Sequence, residues 1–183
     1  MIKMEIVKSG ENAGCVCLWG DSYYLTTLYD MLNRVIYDNP YVTDEEGFLT
    51  ALAYDVRKAF SGCRKADEIL LPYKDQKLCI FGVDMEIPLL IAQLAALEKA
   101  LSNTKSSNKL DSIMLMELEY YLEESMKSVF TEVDMKKIST MPVKIRELPY
   151  DVVDSRIDEV FEKYKHNFGL NNTLPILQYI VEA

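Results

Sequence analysis

The chain has 183 residues, 49% of them hydrophobic and 27% charged, a mixture that suits one globular domain and excludes wholesale disorder. Its 29 acidic and 20 basic side chains leave a formal charge of -9, without the basic footprint that nucleic acids and anionic membranes require. The longest nearly uncharged stretch, residues 87–97, is too short to span a bilayer, the first ten residues carry no apolar signal core, and the cysteines form no paired framework, so a cytoplasmic protein without membrane or nucleic-acid partners is expected.

Ile2, Met4 and Ile6 alternate with polar neighbours, the period of a half-buried strand. After turn chemistry at residues 9–14, residues 15–19 return as a second strand and make a hairpin. Gly20 ends it, and Asp21 or Ser22 is placed to cap the next helix by accepting a backbone N–H. Leu25, Leu28, Leu32, Val35 and Ile36 give that helix one apolar face. Asp30 and Arg34 pair four apart on its flank, and Asn39-Pro40 closes it. Thr43 and Glu46 have capping-box spacing, so the second helix is expected to start from them. Its stripe is Leu49, Leu52, Ala53, Val56 and Phe60, and Gly62 is its left-handed stop. Residues 68–73 and 77–83 flank a polar turn and read as a second hairpin, with Pro72 confining the first of these strands to an edge.

The second half is helical. Pro88 suits a first turn, and Ile87, Leu90, Leu94, Leu97 and Leu101 form a heptad-like seam. Alanines line the other sides of that helix, so covering it is expected to need a second subunit, a homodimer through those five residues. Residues 102–109 read as a linker to a second long helix with Leu115, Leu118, Leu122, Met126 and Val129 inward and Glu117, Glu119, Glu123 and Glu124 outward. Pro142 and Pro149 bound an expected extended piece, 143–148. Val153, Ile157, Val160, Phe161 and Tyr164 mark another amphipathic helix, and a terminal one carries Leu177, Ile180 and Val181. The fold class is therefore α+β: a small, mainly antiparallel sheet from two β-hairpins covered by two helices, then a helical half with an αα-hairpin. Residues 1–101 form the core, and 102–183 form a dependent helical extension packed on it.

Much common chemistry is missing. The one histidine, His166, has no sequence-adjacent carboxylate, no G-x-S-x-G elbow occurs, and the seven glycines build neither a dinucleotide nor a phosphate loop. No cofactor is expected. Cys15 and Cys17, one residue apart, share one face of a strand instead of a metal-binding knuckle, so with Cys63 and Cys79 they read as small core residues, and no metal is expected. Glu119, Glu123 and Lys127 fall four apart and read as a solvated face.

Polar groups concentrate in residues 49–64. Tyr54, Arg57 and Ser61 lie on one side of the apolar stripe, with Asp55 and Lys58 on the other. Arg57, with Tyr54 and Arg64, has the planar fork to hold a small anion, whereas Asp21, Asp55 and Lys58 read as a structural polar network. Six of the twelve tyrosines fall in the first third. Two functions follow as expectations. One is a non-enzymatic interaction or regulatory protein with a protein partner or self-association through a tyrosine- and acid-rich surface. The other is a binding protein or enzyme for a small anionic ligand using Arg57 and Tyr54.

The order strand, Gly20-Asp21, amphipathic helix, then Ala53-Tyr54-Asp55-x-Arg57-x-Ala59-x-x-Gly62 and a hairpin resembles a family of small uncharacterised bacterial proteins, a domain of unknown function, over about the first 100 residues. The resemblance implies a bacterial cytoplasmic protein and carries no activity and no catalytic residue.

Overall fold

A computed structural model describes residues 2–7, 14–43, 46–71, 76–105, 108–164 and 167–183. Alternation at the N-terminus makes β1 (Ile2–Ile6), which pairs antiparallel with β2 (Val16–Asp21). Backbone bonds from Val7 N–H to the Cys15 carbonyl (2.9 Å) and from Gly14 N–H to the Val7 carbonyl (2.8 Å) close this hairpin. Gly14 sits at φ 94°, where a side chain is disfavoured. The second hairpin is β3 (Lys65–Leu70) and β4 (Lys77–Met85), joined by a bond from Leu71 N–H to the Gln76 carbonyl. Pro72 itself lies outside the described residues. The sheet order is β1-β2-β4-β3, all antiparallel, so β3 is an edge strand.

The two sheet faces differ as period-two alternation requires. Ile2, Met4, Val16, Leu18, Val83 and Met85 enter the core. The opposite face carries Lys3, Glu5, Trp19, Asp84 and Lys65 in register. There the Trp19 ring lies across Gly82, where a Cβ would come within 2.8 Å of it. The Lys3 ammonium sits 5.7 Å from the Trp19 ring centroid, and Lys65 bonds Asp84 at 2.6 Å.

Two helices cover the core face. In α1 (Ser22–Tyr37), Asp21 accepts the Tyr24 N–H at 2.8 Å, as its sequence position predicts. Arg34 does not pair with Asp30; it reaches Asp111 at 2.5 Å, because a buried carboxylate demands a charge partner more than an exposed one does. The next helix, α2 (Phe48–Phe60), does not start from Thr43; its N-cap is Gly47. The free Phe48 N–H there is taken by the Asp154 carboxylate at 2.9 Å, so a tertiary contact replaces the local capping box. Gly62 does stop the helix, at φ 73°, with Gly62 N–H bonded to Ala59 and Cys63 N–H to Lys58, a Schellman pair.

The helical half comprises α3 (Ile87–Asn103), α4 (Lys109–Met126), α5 (Glu132–Ile138), α6 (Met141–Glu147), α7 (Tyr150–Tyr164), a 3-10 turn (Leu170–Asn172) and α8 (Thr173–Glu182). A capping box between Asn108 and Asp111 starts α4. Residues 143–148 are not extended: Pro142 takes the first turn of α6, where its missing N–H is tolerated, and Ile145 is fully buried. Val129 lies past the end of α4. His166 lies outside the described residues.

Ile87, Leu90, Leu94, Leu97 and Leu101 are each at most 7% exposed within the single chain. Helices α1, α2, α4, α6, α7 and α8 all pack on α3. The premise that this seam needs a second subunit is therefore corrected: the chain's own helices, two earlier and four later than α3, cover it. One cluster of buried side chains runs from Ile2 to Ile180, through both halves. No described helix is long and apolar enough to cross a membrane.

Candidate functional site

The polar residues singled out on α2 do not converge on a cavity. Tyr54 is 47% exposed, and the Arg57 guanidinium and Lys58 ammonium lie 5.3 and 5.2 Å from its ring centroid. Both cations thus use the same exposed ring. Asp55 pairs with Arg64 at 2.6 Å, not with Lys58, because the chain reverses at Gly62 and brings Arg64 back along the helix. Arg57 is exposed, and Asp21 is spent on its cap.

Beside this surface, α2, the start of α3 and α7 enclose a cleft of about 290 Å³ lined by Glu46, Asp55, Glu86, Asp154 and Asp158. Two of these carboxylates already hold structure, Asp55 through Arg64 and Asp154 through the Phe48 N–H. Gln93, also in the wall, donates to the Phe48 carbonyl at 2.9 Å. The cleft is acid-rich, and part of that acidity secures the start of α2.

A larger cavity, about 430 Å³, lies among α3, α4, α5 and α6. Ile91, Leu94 and Ala95 present one face of α3; Glu119, Leu122, Glu123, Met126 and Lys127 present one face of α4; Met135 and Ile138 close it from α5. Lys127 bonds Glu123 at 2.9 Å and Glu124 at 2.7 Å on the rim. Glu119 departs from the solvated-face reading: it is half-buried in the wall, and burial raises its carboxyl above the ordinary range. Its signal in the sequence is its place one helical turn from Leu115 and Leu122, on the apolar side of α4.

The outer side of α4 is apolar as well. Leu110, Ile113, Met116 and Tyr120, spaced three, three and four, are 48%, 52%, 66% and 58% exposed. The sequence reading missed this stripe because the inward leucines already satisfied a helical pattern. Tyr120 packs edge-on against Tyr121 at 5.3 Å between centroids, and Glu117 and Glu124 lie on the same helix.

All four cysteines are free. Cys15 and Cys17 are buried, and burial first, then Glu86 for Cys15 and Asp84 for Cys17, pushes their thiols up to about 11 and about 12. Cys63 and Cys79 are exposed, which corrects their reading as core residues: each sits where the chain passes over the surface, after the α2 stop and on the open end of β4. Among the described residues no group of three His, Cys, Asp or Glu side chains could hold a metal ion.

A family model, Domain of unknown function (DUF6904), matches residues 6–166. The chain belongs to this family. The match runs well past the first 100 residues and takes in both cavities and the outer face of α4 of this family member. No curated protein matches the chain, and no solved structure does.

Proposed function

We propose that this chain is a non-enzymatic interaction protein of the bacterial cytoplasm that binds a protein partner through the outer face of α4. The observation that carries this reading is the stripe Leu110, Ile113, Met116 and Tyr120, exposed on a helix whose other side is buried in the core. Contiguous apolar side chains on a polar helix surface mark contact sites, and tyrosine and methionine are enriched in them. The acids along α4 favour a partner whose apolar patch has a basic rim. Free thiols, two of them exposed, suit a reducing compartment, and the resemblance noted above supplies the bacterial setting.

The test is affinity capture from the native cell with wild type and with an Ile113→Glu/Met116→Glu variant, beside light scattering of both. A partner, foreign or a second copy, that is held by wild type and lost by the variant supports the proposal. Identical capture by both, or none by wild type with monomer mass throughout, sinks it. A small anion held by Tyr54, Arg57 and Arg64 has less support, because neither cavity is lined by any of the three and Arg64 already holds Asp55.

A further inference from the structure

We propose that the cavity among α3, α4, α5 and α6 binds a small organic amine, an ammonium group carrying an apolar tail, with Glu119 as the counter-ion. At about 430 Å³ the space falls within the range of small-molecule sites and has room for a short alkyl tail. Its walls are apolar, with Ile91, Leu94, Leu122, Met126 and Ile138 among them.

Charge selects the headgroup. The titratable side chains in the wall are Glu119, Glu123 and Lys127 from α4 and Lys136 from α5; α3 and α6 bring none. Lys127 is shared by Glu123 and Glu124, and Lys136 is exposed to water. Glu119 is half-buried, and among the described residues no cation pairs with it; burial is the one cause that raises its carboxyl. A carboxylate partly withdrawn from water with no cation beside it carries an electrostatic cost, which a bound ammonium offsets. An anionic ligand adds like charge beside Glu119, and a neutral alkyl chain leaves it unpaired. The amine site stands apart from the partner-binding stripe, since Glu119, Leu122 and Met126 point inward on α4 while Ile113 and Met116 point out.

Calorimetric titration of the full chain with hexylamine, hexanoate and 1-hexanol tests this. Hexylamine is expected to saturate one site at least about tenfold more tightly than hexanol, the value of one charge-assisted contact, with hexanoate weakest. Glu119→Gln is expected to bring hexylamine down to the hexanol level while the far-ultraviolet dichroism stays that of wild type. Methyl resonances of Met126 and Met135 are expected to move during the hexylamine titration. The proposal is overturned if hexylamine does not saturate, if hexanol or hexanoate binds as well, if Glu119→Gln binds hexylamine unchanged, or if only other methionines respond. None of these outcomes bears on partner capture through Ile113 and Met116.

Discussion

The four thiols show how one residue type takes two characters in a single chain. Cys17 in β2 lies on the same sheet face as Trp19, Lys65 and Asp84, directly across from Asp84 in register, and Cys15 immediately precedes the strand. Removal from water disfavours the thiolate, and the nearby acids disfavour it further, so their thiols titrate near 11 and 12. The reactive form is the thiolate, so reactivity follows its population. At mildly alkaline pH, a disulfide reagent is expected to titrate Cys63 and Cys79 rapidly and to reach Cys15 and Cys17 only after denaturation. Four equally fast thiols in the native chain contradict this. The strand position of Cys17 was legible from the alternation around it, while Cys15 falls just before the strand; the exposure of Cys63 and Cys79 was not legible, because nothing local to Cys79 says which end of β4 meets solvent.

Among the elements, α2 and α4 depart most from what local pattern implies. Thr43 and Glu46 have the spacing of a capping box, yet α2 begins at Phe48 with Asp154 supplying the acceptor. That acceptor lies 106 residues away and leaves no trace near the helix. Gly47 permits it. A Cβ there would stand 2.6 Å from the Tyr150 hydroxyl and 3.1 Å from the Asp154 carboxylate. Gly47→Ala is therefore expected to destabilise the protein by about 1–3 kcal/mol through overpacking, although the backbone at Gly47 is ordinary extended chain. A melting temperature equal to wild type would show that Tyr150 and Asp154 yield without cost. In α4, the inward leucines are buried as their spacing implies, whereas Glu119 is half-buried in a cavity wall instead of solvated. On a helix the same spacing describes a wet face and a cavity wall, and only the placement of α5 across the cavity from Glu119 distinguishes them.

At the scale of the whole molecule, one core joins the sheet to the helical half. Its polar counterpart is the bond between Arg34 on α1 and Asp111 on α4, 77 residues apart, with the Asp111 side chain 2% exposed. Asp111 also closes the capping box of α4 by accepting the Asn108 N–H at 2.9 Å. Asp111→Ala leaves Arg34 without its acid and frays the start of α4, so a loss of about 2–3 kcal/mol is expected, with the melting temperature about 5–10 °C lower. Thermal unfolding followed by circular dichroism measures it, and a loss under about 0.5 kcal/mol would mark the pair as an ordinary surface contact. Buried Asn39 adds a second tie, donating to the Ala100 carbonyl and to Thr104 at the far end of α3.

Periodicity and punctuation determined the elements: the two hairpins, the Asp21 cap, the Gly62 stop, the α3 seam and the antiparallel pair α3–α4 all follow from side-chain spacing and backbone preference, which act within a few residues. Partners were decided only by tertiary structure. Leu94 and Leu97 are covered by helices from both earlier and later in the chain; Arg34 reaches Asp111, 77 residues on, and not Asp30; Glu119 faces a cavity whose far wall is α5. Burial and electrostatic pairing depend on distance in space, and the order of residues along the chain constrains that distance only weakly beyond one or two helical turns.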